Sequence, residues 1–281
     1  MSMFPSYLAI PAVELGQGTP VKVRVLGDMS SIAADLAAVL KAEILAANRE
    51  GRGATFIIPV GPVDHYPILA RALNQERISC RKVVFIGMDE YLTEEGDWVP
   101  EDHPLSFRGF LDRMFYHLLD PALAPPPEQR VFPDPRDLSL VPRVIASRGG
   151  VDACFGGIGI TGHIAFNEPP EPGETISNET FAALPTRVLA LARETRTINS
   201  VTVGGEITII PRRAVTVGMQ EILGARRLRL YCNRPWQSAV ARRVLHGPIT
   251  AACPASLIRT HPDASLTIAD YVAAPPDIRL R

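Results

Sequence analysis

Short apolar runs alternate with amphipathic stretches along most of this chain, and that alternation leaves few architectures open. Residues 21–26, 54–59, 82–88 and 151–155 are apolar runs of strand length, and further ones follow at 214–218, 227–232 and 265–268. Helical patterns lie between them at about 32–47, 66–74, 106–119 and 237–245. In the first of these, Ile32, Leu36, Val39, Leu40 and Ile44 return to one face behind the cap candidates Asp28 and Ser30. Strands that alternate with helices pair in parallel through right-handed crossovers. The expected fold is therefore α/β, with a mostly parallel sheet and helices on both faces. A chain of 281 residues can bury a large core, and no internal repeat or low-complexity linker divides it, so 1–281 reads as a single domain. The proline-rich stretches 121–142 and 169–185 read as surface excursions, the second equally a lid or an inert loop.

The densest chemistry follows the 151–155 run, in the string GGIGITGHIAFNEP from Gly156 to Pro169. Open α/β sheets bind small molecules outside the carboxyl ends of their strands, and glycines there allow close backbone approach. His163 and Glu168 flank an apolar turn in this string, while Asp89, Glu90 and Tyr91 end the 82–88 run. Asp89 and Glu90 are adjacent, so on extended backbone only one of them enters a shared site. A histidine exchanges protons with a sugar oxygen near neutrality, and a carboxylate takes a proton from a carbon beside a carbonyl. Each of these residues alone is as well explained by a loop contact. Together they fit enolisation of a small polar substrate.

Other classes are disfavoured. The glycines at 156, 157, 159 and 162 are out of register with GxGxxG, a Walker A motif and a GxSxG elbow are missing, and no cofactor is expected. No HxH, HExxH or DxD spacing suggests a metal. A net charge of −1 gives no reason to expect nucleic acid, and no apolar run approaches a membrane span. The first 17 residues lack a basic segment and are broken by Pro5 and Pro11, which points to a cytoplasmic protein. Cys80, Cys154, Cys232 and Cys253 are scattered and read as reduced structural thiols.

The string 157–169 and the acidic motif Met88-Asp89-Glu90-Tyr91 resemble the glucosamine-6-phosphate deaminase (isomerase) family. His103-Pro104 with Ser106 and Phe110, Thr195-Arg196 with Asn199-Ser200, Thr216 to Gly218, and His261-Pro262 extend the resemblance over roughly 20–270. Related lactonases carry an arginine after the acidic pair, where this chain has Tyr91. The resemblance implies a Rossmann-like fold, an oligomer, and an amino-sugar phosphate as the small-molecule partner. It implies ring opening by His163 supported by Glu168, then C2-to-C1 proton transfer by Asp89 with loss of ammonia. Gly61, Glu90, Tyr91, Gly159, Thr161, Gly162, Asn167 and Arg196 are the expected substrate contacts.

Three departures accompany the resemblance. Thr161 stands where the family motif has an aspartate. The family's phosphate-binding turn becomes Val60-Gly61-Pro62-Val63-Asp64, which loses a backbone donor and a hydroxyl and gains a like charge. Val201 and a position near Trp236 or Gln237 replace the phosphate-clamping basic residues, leaving Arg193, Arg196 or Arg234 to compensate. The expected substrate is thus an amino sugar lacking the 6-phosphate, or holding it differently. Alternatives are a non-catalytic sugar-binding or regulatory protein and, more weakly, a sugar lactonase.

Overall fold

A computed structural model describes residues 3–279, and Met1, Ser2, Leu280 and Arg281 lie outside the described residues. In chain order the first elements are β1 (Lys22–Leu26), α1 (Met29–Arg49), β2 (Ala54–Ile58), α2 (His65–Gln75), β3 (Val83–Gly87), β4 (Asp89–Leu92), α3 (Phe107–Met114), β5 (Arg130–Val131) and α4 (Leu140–Ser147). There follow β6 (Ala153–Gly157), α5 (Asn178–Ala182), β7 (Arg187–Ala190), α6 (Arg193–Ser200), β8 (Arg213–Thr216), α7 (Met219–Leu223), β9 (Leu228–Cys232), α8 (Gln237–His246), β10 (Ala264–Ala269) and α9 (Asp270–Ala273).

Seven strands form one sheet in the order β1-β10-β9-β6-β2-β3-β5, and every pairing in it is parallel. The expected α/β class holds. All five residues of β2 and of β3 are buried, as helix-covered central strands require. Phe56 at the middle of β2 has the rings of Phe85 and Phe155 each 6.1 Å from its own, so the core is continuous across the sheet. The edge strand β1 instead carries Lys22 and Arg24, charges that discourage pairing with a further strand.

Local signals account for the long helices. Asp28 caps α1 by accepting from the Ser31 N–H at 2.7 Å, and Ile32, Leu36, Leu40 and Ile44 are buried on the expected face. Ser106 caps α3 by accepting from the Gly109 N–H at 3.1 Å. The expected helix over 106–119 breaks in two, because Phe115 leaves helical backbone at φ −135°. That departure puts its ring 5.3 Å from Phe85 and 5.4 Å from Tyr66, and a 3₁₀ turn, Tyr116–Leu118, follows.

The second sheet was not foreseen. β4, β8 and β7 form an antiparallel sheet of three strands, so the 214–218 run does not extend the parallel sheet. Met88 joins the two sheets: its N–H donates to Ile58 O at 3.0 Å, and its carbonyl accepts from the Val217 N–H at 2.8 Å. The acid pair that ends β3 thereby becomes the start of β4. β7 and the short α4–α7 lack a periodic apolar face long enough to read from sequence. Among the described residues no helix is long and apolar enough to cross a membrane. All four cysteines are free and buried, and burial pushes the thiols of Cys80 and Cys232 up to about 12.

Candidate active site

The loop after β6 is pinned by its own apolar turn. Ile164 is buried in the main core, while Phe166 enters a smaller core with Tyr91, Val99, Leu191, Ile210 and Ala214. Burying the two side chains contributes about 2–3 kcal/mol each, and Ala165 between them takes a left-handed φ of 53°. The result is that His163 and Glu168 fold onto each other. Nδ1 of His163 lies 2.8 Å from Thr161 Oγ1 and 3.1 Å from Glu168 Oε2, and the Thr161 hydroxyl donates to Glu168 Oε2 at 2.8 Å. Burial pushes the Glu168 carboxyl up, but the contacts with His163, Thr195 and Thr161 outweigh it and hold the group below its ordinary value. Its other oxygen, Oε1, is buried with no partner among the described residues.

Gly159 is what lets the imidazole settle there. A Cβ at this position would stand 1.9 Å from Nε2 and 2.1 Å from Cε1 of His163. Gly157 serves the neighbouring loop in the same way, since its Cβ would meet Gly61 O at 3.0 Å. At both glycines the close approach seen is with the protein's own loops.

Asp89 reaches the same strand ends from the other sheet. It is only 7% exposed, and its carboxylate has no hydrogen bond or ion pair among the described residues. Burial, reinforced by the charge of Glu90, pushes it well above the carboxylate range. In register it lies opposite Thr216 of β8, whose hydroxyl accepts from the Phe166 N–H at 3.1 Å. Asn167 adds a second tie, donating to Val217 O at 2.9 Å. Through Thr216 and Val217 the Asp89 strand and the His163 loop are fastened to one another.

Several residues expected to touch substrate are engaged by protein. Glu90, on the opposite face from Asp89 as its spacing required, is fully buried and caps α3. Its oxygens accept from Ser106 Oγ at 2.9 Å, Phe107 N at 3.0 Å, Arg108 N at 2.9 Å and Tyr91 N at 2.9 Å. Tyr91 packs its ring 4.8 Å from Phe107 and 5.6 Å from Phe166, and its hydroxyl accepts from Asn199 Nδ2 at 2.9 Å. Asn167 is wholly buried and also accepts from Arg187 at 2.6 Å. Arg196 donates to the carbonyls of Ile207 at 3.0 Å and Ile210 at 3.3 Å, so it straps a loop. Gly162, at φ 89°, has its Cα face against Cys253. Thr195 and Thr216 had been only landmarks of the resemblance. Thr195 Oγ1 is 3.4 Å from His163 Nδ1, whereas its neighbour Arg196 was the expected substrate contact of that segment.

No protein-family profile matches the chain. Over 219 residues it is 30% identical to a glucosamine-6-phosphate deaminase of Caenorhabditis elegans, covering 76% of this chain and 77% of that one. Over 218 residues it is 32% identical to a glucosamine-6-phosphate deaminase of Cellvibrio japonicus, covering 76% of each. The chain belongs to the glucosamine-6-phosphate deaminase family. Among solved structures, a monomeric glucosamine-6-phosphate deaminase superposes with a TM-score of 0.77 over 90% of this chain and 99% of that one, at 24% identity. The 6-phosphogluconolactonase of Thermotoga maritima gives 0.64 over 89% and 100%, at 13% identity. At these identities the structural likeness is one of fold.

The loop 60–64, where the sequence resembles the family's phosphate-binding turn, carries Pro62 and Asp64. It leads into α2, whose N-terminus would ordinarily attract a phosphate. Here Pro62 and Pro67 have no N–H, and the Tyr66 N–H is already bonded to Val63 O at 3.3 Å. Asp64 stands exposed at the N-cap and makes no capping bond. Arg193 and Arg234 lie exposed, and Val201 is 68% exposed.

Proposed function

We propose that this protein is an aldose–ketose isomerase and deaminase acting on an amino sugar or amino-sugar phosphate. The observation that carries the reading is Asp89: a buried, unpaired carboxylate tied through Thr216 to the loop that holds His163 and Glu168. An unpaired buried carboxylate costs stability, and its raised proton affinity suits a group that must take a proton from carbon and return it.

In this reading His163 carries a proton between O1 and the ring oxygen as the pyranose opens, and Glu168 steadies the imidazolium. Asp89 removes the proton from C2 as the C1 carbonyl becomes an enol, then delivers it to C1. The nitrogen at C2 becomes an imine. Water adds to that carbon, the C–N bond breaks, and the products are a ketose and ammonia. Holding the open chain against Asp89 supplies much of the rate by proximity.

Pro62 and Pro67, which lack an N–H, and the exposed Asp64 support a substrate whose far end is unphosphorylated, or whose phosphate is held by other groups. The test is ammonia release from amino sugars, each with and without a 6-phosphate, using Asp89→Asn as the blank. Release from an unphosphorylated sugar alone bears out both halves of the reading. Release from glucosamine 6-phosphate keeps the chemistry and overturns the phosphate argument. Silence with binding retained overturns the enzyme reading in favour of a sugar sensor, and ammonia-free hydrolysis of a sugar lactone overturns it in favour of a lactonase.

A further inference from the structure

His65 opens α2 at 1% exposure, and both of its ring nitrogens are buried without a hydrogen-bond partner among the described residues. A neutral imidazole already leaves one N–H unpaired there. The protonated ring would bring two, with a full charge and an acceptor for neither. The closed fold therefore accommodates the neutral ring alone, and burial pushes the imidazole from its ordinary 6.5 down to about 3. No neighbouring charge offsets this. α1 and the turn Tyr116–Leu118 pack on α2, and their charged groups point to other partners or to solvent. Asp35, Lys41 and Glu43 pair with Arg24, Glu76 and Arg227, His117 lies beside Asp112, and Arg49 is exposed. Nearer the ring, Asp64 is exposed and the Tyr66 hydroxyl donates to Pro59 O.

The ring sits where the chain is weakly tied. Asp64 makes no capping bond, Pro67 has no N–H, and the Tyr66 N–H reaches Val63 O only at 3.3 Å. A first helical turn with so few ties can open while the rest of the domain stays folded. This turn also borders the candidate site. Gly61 O and Pro62 Cδ stand 3.0 and 3.6 Å from the place a Cβ of Gly157 would take, at the end of β6. The His65 ring lies 3.9 Å from that of Tyr66, whose hydroxyl is in the field of Asp89. We propose that His65 is an acid-released latch: protonation drives its imidazole out of the core and opens residues 60–66 beside the strand ends that carry Asp89 and His163. Once the turn opens, the ring takes a proton near pH 6.5, whereas in the closed turn it stays neutral down to about 3. Closure is thus fully stabilised above pH 6.5 and weakens as pH falls from there toward 3.

The latch does not depend on the proposed reaction, and its test needs no substrate. Amide exchange of the full chain is followed by NMR between pH 8 and pH 4.5, as protection factors that remove the intrinsic pH dependence of exchange. Protection at Tyr66, Ile68 and Leu69 should be level above pH 6.5 and fall about tenfold for each pH unit below it. Phe56 in β2 and Phe85 in β3 should keep their protection over the same range. His65→Phe, which retains a ring against Tyr66 but cannot take a proton, should hold the first turn of α2 closed throughout. Protection at Tyr66, Ile68 and Leu69 that is unchanged in the wild type from pH 7 to pH 4.5 overturns the proposal. The same fall in His65→Phe overturns it too, and so does an equal fall at Phe56 and Phe85, which would mean global unfolding. If His65→Phe fails to fold, His65→Leu takes its place, and the wild-type profile is decisive by itself where protection does not fall or falls everywhere.

Discussion

Asp89 and Thr216 face each other across β4 and β8, and the Thr216 hydroxyl holds the Phe166 N–H at 3.1 Å. One threonine thus sits between the buried carboxylate and the loop bearing His163 and Glu168. The antiparallel sheet is the device that brings the two motifs together, since in the parallel sheet β3 and β6 are separated by β2.

The raised proton affinity of Asp89 has a stability counterpart. Folding disfavours its ionised form, so the folded state binds more protons than the unfolded state above pH ~4 and loses stability as pH rises through the folded value. Asp89→Asn should abolish turnover and match wild-type stability near pH 4. At higher pH it should become more stable than wild type by about 1–3 kcal/mol. Thermal unfolding across pH checks this, and an Asn variant less stable than wild type at pH 8 would refute it.

Gly159→Ala should disable the site while sparing the fold. The new methyl would collide with the His163 ring at 1.9 Å from Nε2, forcing the ring or its loop aside. Turnover should drop by about 10²-fold, against a stability loss of about 1–3 kcal/mol. Kinetics and denaturant unfolding on the same sample measure both, and near-wild-type kcat would show that the ring can move without consequence.

Glu90→Ala should do the reverse. It removes the acceptor for Ser106, Phe107 and Arg108 at the start of α3 and for the Tyr91 N–H on β4. Leaving those donors buried should cost roughly 3–5 kcal/mol. Urea unfolding reads the loss, and a variant as stable as wild type but inactive would return Glu90 to the substrate.

What was legible in the sequence, and what was not, divides along a physical line. Asp89, His163 and Glu168 stood out because acids and a histidine directly after apolar strand runs are costly unless used or paired. Glu90, Tyr91, Asn167 and Arg196 occupy the same segments, yet their partners lie far along the chain: Asn199 for Tyr91, Val217 for Asn167, Ile207 and Ile210 for Arg196. Such contacts set which way a side chain turns, and no local pattern encodes them. The parallel sheet was legible because buried strands of five residues alternate with long helices. Strands of four residues such as β4 and β7 carry too short a pattern to reveal their sheet.

Asp64→Asn should improve use of any 6-phosphorylated substrate. The exposed carboxylate at the start of α2 opposes a phosphate there, and relieving one solvent-screened repulsion should raise kcat/KM for that substrate about five-fold, with little change for its unphosphorylated counterpart. Equal effects on both would place the sugar's far end elsewhere.

The most direct measurement follows the hydrogen at C2. Glucosamine and glucosamine 6-phosphate carrying deuterium at C2 are turned over, and the product is read by NMR beside an ammonia assay. The account predicts a ketose formed with one ammonia per turnover, its deuterium moved to C1 or lost to water, and no such product from Asp89→Asn. A product that keeps deuterium at C2 without releasing ammonia, or Asp89→Asn turning over at the wild-type rate, would contradict it.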